Sequence, residues 1–207
     1  MHSTFQYQKN PNFPNRYISP KSLQNFLQEN LSDYITLIGT STLGEPIYQF
    51  SYGSGDIKVL AWSQMHGNES NSTHCMLDLW YSLESQPQLK EKLFQNISLD
   101  FIFMLNPDGS KVWSRRNSLD IDMNRDYLQN ASCEMKLLKE VAFSKKYDYA
   151  LNLHEQRTIF STDGKNPATL SFLAPSEDYD RTVTENRKKS MAVIASIYNV
   201  LRMQIPN

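Results

Sequence analysis

Ser63-Gln64-Met65-His66-Gly67-Asn68-Glu69-Ser70-Asn71 is the stretch whose reading decides the fold of this chain. The residues before it, Ile57-Lys58-Val59-Leu60-Ala61-Trp62, form a strand-like run. After it, Thr73, Met76, Leu77, Trp80 and Leu83 fall on one face at helical spacing, which predicts an amphipathic helix over 70–83. His66 and Glu69 therefore stand where a strand gives way to a helix. In α/β proteins the crevice beyond the carboxyl end of a strand is where ligands bind. An imidazole and a carboxylate placed there can hold a divalent metal. The same residues also admit a plainer role, with Glu69 favoured at the helix start by the dipole and His66 a loop residue.

On the N-terminal side, residues 1–18 are polar and carry Pro11 and Pro14, so an extended arm is expected, followed by one domain over 19–207. Ser19-Pro20 has the form of a cap and a first-turn proline. Leu23, Phe26, Leu27 and Leu31 continue at helical spacing. Ile35-Thr36-Leu37-Ile38 and Ile47-Tyr48-Gln49-Phe50 flank Gly44-Glu45-Pro46 and predict a hairpin.

On the C-terminal side, Pro87 opens a helical stretch through Phe94, and residues 97–105 read as a buried strand. It ends in Asn106-Pro107-Asp108-Gly109, a turn sequence. Residues 110–127 are irregular and charged, but Ile121 and Met123 are interleaved with the charges, which suggests a loop packed over something. A helix is expected over 131–143, a short strand over 149–153 ending at His154, a strand over 169–174 and a helix over 179–203. Strands alternating with helices predict an α/β domain with a mixed, mostly parallel sheet.

Composition excludes some classes of function. With 207 residues, 40% hydrophobic and 21% charged, the chain has the make-up of an ordinary globular domain. A net charge of -1 gives no electrostatic footprint for nucleic acid or an anionic membrane. No apolar stretch approaches a membrane span, and the first residues lack a signal-peptide core, so a cytoplasmic setting is expected. Cys75 and Cys133 match no zinc or redox spacing. Cys75, on the helix after the opening stretch, is expected to be a buried free thiol.

His154, like His66, stands at the carboxyl end of a strand. His66, Glu69 and His154 together are the donor set of a catalytic zinc, two imidazoles and a carboxylate with a position left open. Here the chain resembles the zinc carboxypeptidases, the family that includes carboxypeptidase A. The resemblance rests on His66-Gly67-Asn68-Glu69, Asn106-Pro107-Asp108-Gly109, Arg115-Arg116-Asn117 with Asp122-Met123-Asn124-Arg125-Asp126, and Leu153-His154, in that order. It implies that His66, Glu69 and His154 bind one zinc ion and that Arg115, rather than Arg116, polarises the scissile carbonyl. It implies further that Asn124 and Arg125 grip a substrate carboxylate and that Asp122 orients the first histidine. These roles suit the residue types, because a guanidinium offers a bidentate fork to a carboxylate and a carboxylate behind a ligand histidine fixes its tautomer.

The activity so implied is removal of C-terminal residues from peptides by metal-activated water. An amidohydrolase acting on acyl-amino acids or cell-wall peptides would use the same donors, and a catalytically silent binding module would keep the fold. The family's late general-base glutamate and its closing tyrosine have no counterpart among the residues after Ala174. Glu177 and Glu185 lie on no predicted strand, Glu140 lies on a helix, and Glu155 should point away from the metal by strand alternation. The chain thus reads as an N-terminal portion of such a domain lacking the last strands, expected to bind zinc and to turn over peptides poorly.

Overall fold

The structure is a computed structural model in which residues 5–155, 164–165 and 170–203 are described. The chain divides into two compact units, residues 1–155 and 156–207.

The first unit is built on a five-stranded sheet. Its strands are β1 (Ile35–Thr40), β2 (Pro46–Tyr52), β3 (Ile57–Trp62), β4 (Ile97–Phe103) and β5 (Tyr149–Asn152), in spatial order β1-β2-β4-β3-β5. The expected hairpin is present as the antiparallel pair β1 and β2, and β2 also runs antiparallel to β4. Parallel pairing is confined to β4-β3-β5. The sheet is therefore mixed, and its parallel half carries the ends that matter here.

Strand alternation divides the apolar side chains between two cores. Tyr48, Phe50, Phe101 and Phe103 face one cluster with Leu23 and Leu27 of α1 (Pro20–Asn30), Leu77 and Trp80 of α2 (Asn71–Glu84), and Phe94 of α3 (Pro87–Phe94). Ile47, Leu60 and Ile102 face the other, with Met135 and Leu138 of α5 (Cys133–Ser144). Trp80 anchors the first cluster, with ring centroids 4.9 Å from both Phe50 and Tyr52 in edge-on geometry. Such pairs each contribute about 0.5–1.5 kcal/mol beyond area burial.

Local chemistry sets the helix starts. Ser19 Oγ accepts from Ser22 N at 3.0 Å, and Pro20 occupies the first turn of α1. Ser132 caps α5 by accepting from Met135 N at 3.3 Å. Asn106-Pro107-Asp108-Gly109, expected as a turn, opens a short helix instead, α4 (Pro107–Lys111). The reason is that Asn106 Oδ1 accepts from Gly109 N at 2.9 Å and Pro107 takes the first position, so residues that suit a turn here serve as a cap.

Residues 5–18 form no helix or strand, and they lie along α2. Tyr7 Oη donates to Asp78 Oδ2 at 2.7 Å, Asn10 N donates to Asp78 Oδ1 at 2.8 Å, and Gln8 N donates to Ser82 Oγ at 2.8 Å. Phe13 and Ile18 are buried in the first core cluster. Cys75, expected to be buried, is exposed, because the buried face of α2 runs through Thr73, Met76, Leu77 and Trp80 and leaves position 75 outside it.

The second unit contains α6 (Glu185–Leu201), shorter than the expected 179–203 because Thr184 Oγ1 caps it at Arg187 N. Of the strand expected over 169–174, Thr169 lies outside the described residues and 170–174 form no strand. Leu170, Phe172 and Leu173 are exposed, and strand propensity without a pairing neighbour does not make a strand. Among the described residues, no helix is long and apolar enough to cross a membrane.

Candidate metal centre

β3 and β5 are parallel and pair Trp62 with Asn152, so the chain leaves both strands at one edge of the sheet. Leu153 N extends that pairing by donating to Trp62 O at 3.1 Å. His66 follows four residues after β3 and His154 two residues after β5. Between β3 and α2 the chain turns sharply at Gln64, whose φ of 48° is left-handed. That conformation costs of order 1–3 kcal/mol in a non-glycine residue. Buried polar bonds hold it, with Gln64 Nε2 donating to Gly67 O at 2.9 Å and Thr73 Oγ1 donating to Gln64 Oε1 at 2.6 Å.

The turn brings His66 and Glu69 face to face. Glu69 Oε1 lies 2.7 Å from His66 Nδ1, and Glu69 Oε2 lies 2.8 Å from His154 Nδ1. One carboxylate thus meets both imidazoles, and one donor atom from each of the three residues lies within 4.8 Å of the others. Burial pushes the Glu69 carboxyl up, but its bonds to His154, His66 and the Glu155 N–H outweigh this and bring it down to about 2. Glu69 is therefore an anion at neutral pH.

Behind His66 stands Asp122, with Oδ1 at 3.1 Å from Nε2. Both nitrogens of a buried ring thus face carboxylates. A neutral imidazole has one N–H, so with its proton toward Asp122 it presents the Nδ1 lone pair to the centre. The donor set therefore fits a divalent cation: two ring nitrogens, an ionised carboxylate, and an outer carboxylate fixing one tautomer. Asp122 is held below the ordinary carboxylate range, with burial acting against the shift and His66 and Arg115 driving it.

The loop over 110–127 brings further charges to the centre. Arg115 Nε donates to Asp122 Oδ2 at 3.1 Å and Arg115 Nη1 reaches Glu69 Oε1 at 3.4 Å. Arg116 turns elsewhere, onto Asp120. The short helical turn Met123–Arg125 starts where Asp122 Oδ1 accepts from Asn124 N at 3.0 Å. Asn124 Oδ1 lies 3.5 Å from Asn152 Nδ2, and Arg125 Nη1 donates to Asn124 O at 3.2 Å with its side chain exposed. So Asp122 and Arg115 bond directly to His66 and Glu69, whereas Asn124 and Arg125, two and three residues on from Asp122, make their bonds to Asp122, Asn152 and each other.

Buried carboxylates outside the cluster position this loop. Asp108 accepts from Ser41 Oγ, Leu43 N and Ser118 Oγ. Glu134 accepts from Thr42 N and Asn117 Nδ2. Asp126 binds the backbone of Ala131 and Ser132. Met123, an apolar residue among these charges, is fully buried beneath them.

Two residues beside the centre, Glu155 and Arg16, have no part in the motif reading. Glu155 N donates to Glu69 Oε2 at 3.1 Å, while its carboxylate turns away from the donors to Asn71 N and to Arg16 Nη2. Alternation along the strand anticipates the turning away. No local pattern announces Arg16.

Comparison with known proteins follows the same lines. The zinc carboxypeptidase family model matches residues 21–156. Carboxypeptidase 2 of Trichophyton rubrum is 29% identical over 100 residues, covering 47% of this chain and 19% of that protein. Probable carboxypeptidase 2 of Arthroderma benhamiae is 28% identical over a stretch of the same length. The matched part thus spans about a fifth of these relatives. Among solved structures, a metallo-carboxypeptidase from Burkholderia cenocepacia superposes with a TM-score of 0.58 at 20% identity, over 68% of this chain and 42% of that one. Carboxypeptidase A from Helicoverpa armigera gives 0.58 at 16% identity, over 69% and 46%. These likenesses share the mixed sheet flanked by helices. The family match covers more than half of the chain and includes all three donors, and the protein belongs to the zinc carboxypeptidase family.

Proposed function

We propose that His66, Glu69 and His154 hold one zinc ion and that the centre serves a carboxypeptidase, removing residues from the C-terminus of peptides. The observation that carries this reading is the convergence of three donor atoms within 4.8 Å, with Asp122 behind one of them. Zinc supplies Lewis acidity toward a carbonyl. Asp122 keeps the His66 lone pair aimed inward. Arg115, tethered to Asp122 and Glu69, offers N–H groups where negative charge would develop on a carbonyl oxygen, and such a donor is commonly worth about 3 kcal/mol in the transition state. Asn124 and Arg125 supply the donors for a substrate's terminal carboxylate, which a planar guanidinium binds through two parallel bonds.

Among the described residues, the carboxylates within this cluster are Glu69 and Asp122, both already engaged, and the carboxylate of the neighbouring Glu155 turns away to Asn71 N and Arg16. The contribution proposed for this chain is therefore metal binding and carboxylate recognition. Binding of an N-acylated amino acid to the zinc-loaded protein, compared with its C-terminal amide, tests it. Preference for the free acid supports the reading, and equal affinity contradicts it.

A further inference from the structure

Arg16 and Glu155 lie 139 residues apart in sequence and meet at 2.8 Å, Nη2 to Oε2. Glu155 directly follows His154, and its backbone N–H is bonded to Glu69 Oε2. Its other carboxylate oxygen accepts from Asn71 N in the first turn of α2. The Glu155 side chain is only 8% exposed, and these two donors hold its two carboxylate oxygens.

Arg16 is itself fixed. Its carbonyl accepts from Ser70 Oγ at 2.7 Å and from His74 Nε2 at 3.0 Å. Its guanidinium lies 5.5 Å from the centroid of the Trp113 ring, which Tyr17 meets edge-on at 5.8 Å. Ser70 follows Glu69 and Glu155 follows His154, so Arg16 ties together the residues next to two donors.

The two histidines differ in what stands behind them. His66 has Asp122 on its far nitrogen, whereas among the described residues no hydrogen bond holds the far nitrogen of His154. The position of His154 then depends on the chain to either side, pinned by Leu153 N on Trp62 O before it and by Glu155 after it.

We propose that the Arg16–Glu155 pair is a brace that holds His154 against Glu69, and that Arg16 is a positioning residue through which the N-terminal segment sets the affinity of the centre for a divalent metal. The proposal rests on the zinc-binding reading above. An ion pair with one exposed partner contributes little to stability, so its effect is read in the geometry of the donors.

The test uses the 207-residue chain and its Arg16→Ala and Glu155→Gln variants. Zinc affinity is measured by competition with a chromophoric chelator, cobalt(II) absorption reports donor geometry, and thermal unfolding is followed in EDTA. Arg16→Ala is expected to bind zinc about tenfold more weakly, the lower end of what outer partners of metal ligands contribute, with a changed cobalt spectrum. Its metal-free unfolding temperature should stay within about 4 °C of wild type. Glu155→Gln is expected to match it, and the double variant to be no weaker than the weaker single one. If Glu155→Gln does not fold, Arg16→Ala, whose side chain is 65% exposed, decides alone. Stoichiometric zinc in the wild type with unchanged affinity in Arg16→Ala overturns the brace only. No zinc in the wild type overturns the zinc-binding reading and the brace with it.

Discussion

Asp122 Oδ1 stands 3.1 Å from His66 Nε2, across 56 residues of sequence, and the other oxygen of the same carboxylate accepts from Arg115 Nε. One side chain therefore fixes both the His66 ring and the guanidinium beside it.

Asp122→Asn should weaken zinc binding by about 10–100-fold while leaving the fold intact, since the amide cannot accept from both neighbours as an anion does. Chelator competition with a circular dichroism control measures this. Wild-type affinity in the variant would show that Asp122 is a bystander.

Gly67 packs where no side chain fits. A Cβ there would lie 2.2 Å from Gly109 C and 2.3 Å from Ser110 N, both backbone atoms. Gly67→Ala is expected to destabilise the protein by about 1–3 kcal/mol, the usual range for overpacking, and to reduce zinc retention because the alanine sits between His66 and Glu69. Urea unfolding gives the first quantity. An unchanged midpoint would mean that α4 yields freely.

Asp100 predicts a pH dependence away from the centre. It is buried on β4 and accepts from Lys145 Nζ at 2.6 Å, Tyr147 Oη at 2.5 Å and Ser51 Oγ at 2.7 Å. Burial raises its pKa, but these partners prevail and hold it below the ordinary value. With the folded pKa depressed, its stabilisation is present in full above the unfolded value of about 4 and is lost as pH falls through the folded one. Asp100→Asn should cost about 1–3 kcal/mol at neutral pH, and the difference from wild type should shrink in acid. Unfolding curves from pH 7 to pH 3 report it, and a constant gap across that range would exclude the mechanism.

Arg125→Ala should weaken binding of an N-acylated amino acid to the zinc-loaded protein about tenfold or more, the equivalent of one charge-assisted hydrogen bond, while the amide loses little. Calorimetric titration of both ligands separates the two. Equal losses would assign Arg125 a structural part.

Much of this was legible in the sequence where a local pattern and a buried face coincide. Residues 57–62 form a strand-like run and lead into a helix whose stripe of Thr73, Met76, Leu77, Trp80 and Leu83 is the buried face of α2. The cluster of His66, Glu69 and His154 was legible because the two histidines stand beyond the ends of strands and Glu69 just before α2, and parallel pairing of β3 with β5 carries those strand ends to one edge. Where local signals serve two structures, tertiary context decided. Asn106-Pro107 suits both a turn and a helix cap, and Leu170 to Leu173 carry strand propensity but lack a partner. Arg16 was not legible, since its role depends on a contact 139 residues away that no periodicity records.

The central claim is that Glu69 and the two histidines form a metal site, and equilibrium dialysis against zinc tests it most directly. The account predicts one zinc per chain in the wild type and loss of that zinc in Glu69→Ala and in His154→Ala, with the circular dichroism of the fold retained. Zinc absent from the wild type, or kept undiminished by both variants, would contradict it.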